Sequence, residues 1–322
     1  MSARSTARLA APLALLAALF ITTPAHAQFD RLRRAVTNAA QTVDPARLLQ
    51  TPPPISTNLA DAVWGADSLD GHNPDPSIFK PLAVLPRTAS GGFVLQAGHF
   101  AQQNQSYCLR AGTHGPGAGD GYLFAPPRGP AEDQVMTIVR NSAAHPDIDQ
   151  HDVQLLLWAI IARAKFENLD HRLQVIAARL LAPEQILSLN RSALELAGPA
   201  LQHALDGMPE PVQQVMRAEA GLRDELTSAN ASYENAERLA VLAGVAPRGE
   251  GSRDIPHGRW SLHPDGYFVR YLPSAYYSTR IEIWVPEGSP AIGREFDPAR
   301  HIAVPGNTAQ QRLIQSARER GS

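Results

Sequence analysis

Asp149-Gln150-His151-Asp152-Val153-Gln154-Leu155-Leu156-Leu157-Trp158-Ala159-Ile160-Ile161-Ala162-Arg163-Ala164 (DQHDVQLLLWAIIARA) is the stretch around which this chain is organised. Val153, Leu156, Leu157, Ile160, Ile161 and Ala164 recur at helical spacing and give one wide apolar face. Asp149 supplies an N-cap, and Asp152 places a carboxylate in the first turn, where the helix dipole favours it. Leu155, Trp158 and Ala159 widen the apolar surface, so the spacing predicts a helix buried nearly all round. Gln154 sits inside that surface. A buried amide left without a partner costs about 1–3 kcal/mol, so something must meet it.

Working outward, residues 132–144 have helical character and His145-Pro146 ends them. Beyond the central helix the reading stays helical over residues 170–181, 183–189, 192–205, 211–226 and 232–242, with Pro183 and Pro211 at plausible first positions. Upstream, residues 92–100 and 107–110 read as two short strands separated by a turn at Gln102-Gln103-Asn104-Gln105, with Cys108 on the second. A glycine-rich loop follows over residues 112–129. After a linker at residues 247–252, residues 260–272 and 276–285 are aromatic and β-branched, with His263-Pro264-Asp265-Gly266 as a turn. Residues 307–318 read as a closing helix capped by Asn307 or Thr308. The expected class is α+β. A small β element carries Cys108, a helical body follows, and an antiparallel β section ends in a terminal helix. The corresponding divisions are 1–27, a proline-rich irregular leader at 28–90, a unit at 91–246 and a section at 247–322. Within the leader, residues 28–48 have the pattern of a short amphipathic helix.

Residues 1–27 have the layout of a cleaved secretory signal: Arg4 and Arg8, an apolar run over 13–21, then Ala25-His26-Ala27 before Gln28. The chain is therefore expected to be secreted or periplasmic, with no integral membrane segment after cleavage. Its formal net charge of −2 becomes about −4 once the two signal arginines are removed, which gives no reason to expect a nucleic-acid partner. Only Lys80 and Lys165 are lysines.

Cys108 is the single cysteine of the chain. Tyr107-Cys108-Leu109-Arg110 and Val153-Gln154-Leu155-Leu156-Leu157-Trp158 resemble the two signatures of bacterial surface thioester domains, an aromatic-Cys-hydrophobic-polar motif and a Thr-Gln-x-x-hydrophobic-Trp motif. Val153 stands where that family has threonine. Ile138-Val139-Arg140-Asn141 with His145-Pro146 is similar to the segment before the glutamine motif, and the likeness covers roughly residues 92–166. It implies that Gln154 acylates the Cys108 sulfur with loss of ammonia, giving an internal thioester open to attack by an amine. The target would then be a surface protein or another amine-bearing molecule, and the chain would be an adhesion or adduct-forming module and not a turnover enzyme. A lone thiol suits this chemistry, since a second would invite exchange. On this reading the strand of Cys108 packs against the start of the central helix, Trp158 shields the bond, and His151, one turn before Gln154, is a candidate acid or base.

Two other readings stay open. Cys108 can be an inert buried thiol in a structural or binding envelope protein. It can also be the nucleophile of an amidase or peptidase, with His114 or His151 as base and Asp149 or Asp152 orienting it. The aromatic section, with Tyr267, Tyr271, Tyr276, Tyr277 and Trp284, has two readings, a binding face for glycan or protein and sheet core, of which sheet core comes first. Residues 145–152 carry imidazole and carboxylate groups, but their spacing fits neither a calcium loop nor a zinc helix. Residues 112–121 lack the Lys-Ser/Thr helix start of a phosphate loop. The sequence thus names no cofactor and no metal.

Overall fold

The computed structural model describes residues 52–320 apart from 118, 194–204 and 206–207. The expected signal segment, the 28–48 helix and most of the 192–205 helix lie outside the described residues. All described residues belong to one unit spanning Asp44–Ser322.

The fold is α+β. Twelve strands occur among the described residues: β1 (Lys80–Pro81), β2 (Phe93–Val94), β3 (Gly98–Cys108), β4 (Thr113–His114), β5 (Tyr122–Ala125), β6 (Val241–Leu242), β7 (Ser261–Leu262), β8 (Phe268–Ala275), β9 (Ser278–Val285), β10 (Glu295–Phe296), β11 (Ile302–Pro305) and β12 (Leu313–Glu319). Six helices accompany them: α1 (Glu132–Ala144), α2 (Gln150–Ile161), α3 (His171–Leu180), α4 (Pro183–Arg191), α5 (Glu210–Leu226) and α6 (Tyr233–Ala240). The main sheet runs β5-β11-β12-β3-β9-β8-β7, antiparallel throughout, with β1 added in parallel beside β3. The strand of Cys108 therefore lies at the centre, between β12 and β9 from the C-terminal quarter of the chain.

Two expectations are corrected here. Residues 102–105 do not turn: β3 runs unbroken for 11 residues. Their polarity has another use. The ladder between β3 and β12 is irregular between Gln315 and Glu319, and the carbonyls this releases are taken by β3 side chains. Asn104 Nδ2 donates to Ser316 O at 2.5 Å and Gln102 Nε2 to Ala317 O at 3.2 Å. The terminal helix is also absent, because residues 313–319 form β12. Asn307 does accept from the Ala309 amide, so the capping cue is present as a local turn. Pairing with β3 then buries Leu313 and Ile314 completely, and that burial outweighs helical preference.

The proline-rich residues 52–90 are irregular apart from β1, with four short 3-10 turns, yet Ile55, Leu82 and Leu85 anchor them in the core. The linker at 247–252 is tied to the β11–β12 connection, where Gly249 N donates to Asn307 Oδ1 at 3.2 Å. Helix α2 is the most buried element. Every residue from Val153 to Ile161 is buried, as its apolar surface requires. The Asp149 side chain caps it by accepting from His151 N at 2.7 Å.

Candidate functional site

The last residues of β3 lose one neighbour before the other. Strand β9 begins at Ser278, opposite Gln105, whereas β12 continues to Leu313, opposite Cys108. Leu109 N donates to Arg312 O on the β12 side, at 2.9 Å. Alternation along an antiparallel strand turns the N–H and C=O of Cys108 the other way, toward the space β9 has left.

Helix α2 fills that space with two amide side chains. Gln150 Nε2 donates to Ser106 O at 3.1 Å and to Tyr277 O at 2.8 Å. One turn on, Gln154 Oε1 accepts from Cys108 N at 2.7 Å while Gln154 Nε2 donates to Cys108 O at 3.1 Å. Four helical residues advance about 6 Å and two strand residues about 6.7 Å, so glutamines four apart on α2 match carbonyls two apart on β3. The two bonds of Gln154 fix its amide orientation: reversing it would set N–H against N–H and O against O. This is the partner that the buried amide required.

The closed arrangement also positions the thiol. Cys108 Cα and Gln154 Cδ lie across the hydrogen-bonded ring from one another, and Sγ is two bonds from that Cα. Every rotamer of the Cys108 side chain keeps Sγ about 2.8 Å from that Cα. Cys108 N–H already points at Oε1 at the distance expected of a donor to a developing oxyanion. Sulfur attack on Cδ would place negative charge on that oxygen.

The site is dry. Cys108 and Trp158 have no exposed surface and Gln154 is 3% exposed. Burial pushes the Cys108 thiol well up from its ordinary value, and the Glu237 charge adds to this. A free thiolate is therefore disfavoured. The half-buried Tyr233 stacks on Trp158 with ring centroids 5.6 Å apart and on the exposed His151 at 3.9 Å. Its hydroxyl lies 3.2 Å from that of Tyr276, whose own hydroxyl donates to Glu237.

Of the residues singled out from sequence, Cys108 and Gln154 come together, and Trp158 lies fully buried one turn further along α2. His151 lies at the rim, its side chain 59% exposed, with Nδ1 3.6 Å from Asp149. The hydrolase arrangement is not assembled. His114 Nδ1 meets Gly244 O, Asp152 pairs with Arg172, and no hydrogen bond joins an imidazole to Cys108 among the described residues. Lys165 is ion-paired with Glu167 at 2.6 Å. No three His, Cys, Asp or Glu side chains are grouped to hold a metal among the described residues, those of 145–152 included. Among the same residues no helix is long and apolar enough to cross a membrane.

Gln150, Tyr233 and Glu237 were not identified from sequence, and Tyr276 was named only among the aromatic residues of the β section. Tyr233 and Glu237 share a face of α6 by their spacing of four, the one local signal available. No family model, curated protein or solved structure matches this chain.

Proposed function

We propose that this chain is a secreted or periplasmic adduct-forming module in which Cys108 and Gln154 join as an internal thioester, as in the bacterial surface thioester domains its two motifs resemble. The observation that carries the reading is the double hydrogen bond between the Gln154 amide and the Cys108 main chain. In the bond-forming step Sγ adds to Cδ, and Cys108 N–H stabilises the charge on Oε1. The Cδ–Nε2 bond then breaks, and nitrogen leaves as ammonia carrying the thiol proton. A target amine later attacks Cδ, sulfur departs as the thiol with the amine's proton, and Gln154 ends as a substituted amide. A surface protein presenting a primary amine is the partner this chemistry fits. Burial by Trp158 protects the acyl bond from water until the acceptor arrives.

Incubation with methylamine tests the proposal. The wild type should gain a methylamide at Gln154 and Cys108→Ala should gain none. Absence of label from freshly purified wild type contradicts it.

A second reading is favoured by the same two bonds. Gln154 satisfies backbone groups that β9 no longer reaches, a structural role sufficient in itself, and Cys108 would then be an inert thiol in an envelope protein.

A further inference from the structure

The reactive pair is buried, so an acceptor needs a way in. Helix α6 packs beside α2, and its C-terminal end meets the segment that follows β3. Ala236 and Ala240 are fully buried and let it approach closely, and Gly112 N donates to Ala240 O at 2.8 Å, four residues past Cys108. The face of α6 that carries Tyr233 and Glu237 is turned toward Trp158 and the β8–β9 tip: Tyr233 stacks on Trp158, and Glu237 accepts from the Tyr276 hydroxyl. The rings of His151, Tyr233 and Trp158 form a continuous stack from solvent to the sealed interior. Trp158 Nε1 is buried without a partner, so the inner end of the stack is held by packing and not by a directed bond. The middle ring is held outside by the Tyr233–Tyr276–Glu237 hydroxyl chain, and Tyr276 occupies the two-residue tip between β8 and β9.

We infer that Tyr233 is a specificity-determining gate, whose ring sets the size of amine that reaches Gln154 Cδ and keeps water from the same path. With the ring in place, a slim unbranched amine such as methylamine or the end of a lysine side chain passes when the ring swings. A ring-bearing amine does not. Removing the ring frees a volume about the size of a benzyl group. The amine selectivity rests on the thioester reading, whereas access to the thiol does not.

Two measurements on the full-length protein separate these. In the first, methylamine and benzylamine are compared as acceptors. Wild type should favour methylamine by at least about tenfold, Tyr233→Ala should lose most of that preference and hydrolyse faster, and Tyr233→Phe should keep it. Equal preference in wild type and Tyr233→Ala overturns the gate. In the second, protein pretreated with methylamine, whose thiol is unacylated whether or not a thioester had formed, is exposed to iodoacetamide and to a bulky aromatic disulfide. Tyr233→Ala should label at Cys108 at least about tenfold faster than wild type with both reagents, and His151→Ala, which strips the outer ring, should show a smaller gain. If neither variant labels faster while both keep the wild-type circular dichroism, the gate is wrong. If amines fail to add but the labelling pattern holds, the gate stands and the thioester falls.

Discussion

Gln154 and Cys108 exchange a complete pair of amide hydrogen bonds, side chain to main chain, at 2.7 and 3.1 Å. The glutamine thereby stands in for a strand that has ended. The same contact holds the Gln154 amide against the main chain of the thiol-bearing residue in a buried site, so the arrangement that serves the fold is also the one the proposed chemistry would use.

Because that contact is made to the backbone of Cys108, the two residues should respond differently to truncation. Gln154→Ala leaves a buried N–H and C=O without partners and should lower stability by about 2–4 kcal/mol. Measured against the unacylated chain, Cys108→Ala keeps both bonds and removes one buried atom, so about 1 kcal/mol is expected. Urea unfolding of the two variants measures the difference, and equal losses would count against the capping role.

Gln150→Ala should cost less than Gln154→Ala. Gln150 is half-buried and donates to carbonyls of the buried Ser106 and the exposed Tyr277, so water can replace one of its two bonds and the loss should be about 1 kcal/mol by the same measurement.

Acid should weaken the fold through two histidines remote from Cys108. His301 lies fully buried with Nε2 2.6 Å from the Tyr267 hydroxyl, and burial pushes its pKa down to about 3, with His263 adding to the effect. Burial brings His263 down to about 4. Both folded values lie below the ordinary imidazole value, so between them the unfolded chain binds more protons. Stability is full above about pH 6.5 and falls as pH drops below it, with His301 alone costing about 2 kcal/mol at pH 5. Urea midpoints at pH 7.5 and pH 5 should differ accordingly, and His301→Gln should flatten the slope.

The Cys108 thiol, once unacylated, should titrate above an ordinary cysteine. Glu237→Gln removes the smaller of the two causes, so the titration should move down yet stay high, because burial remains. Thiolate absorbance against pH reads this. A Cys108 that titrates at the ordinary value in wild type would contradict the dry site.

Much of the helical layer was legible because its signals are local. The apolar spacing of α2, its Asp149 cap and the halt at His145-Pro146 reappear in the structure, and α1 occupies the expected residues. The pairing of Cys108 with Gln154 was legible as two motifs and a buried amide in need of a partner. The sheet was not. Residues 102–105 look like a turn until a β-bulge in β12 supplies carbonyls for their side chains, and 313–319 look helical until β3 pairs with them. Those partners lie some two hundred residues away in sequence, beyond the reach of periodicity. The contact of Tyr233 and Glu237 with Tyr276 escaped for the same reason, since α6 and the β8–β9 tip meet only in the folded chain.

The central claim is that a covalent bond joins Cys108 to Gln154, and the intact mass of freshly purified, signal-free protein tests it most directly. The account predicts a chain lighter than its sequence mass by about 17 Da, the ammonia lost on acylation, with the deficit abolished in Cys108→Ala and in Gln154→Ala. A wild-type mass equal to the sequence mass, together with one thiol titrated after unfolding, would contradict it.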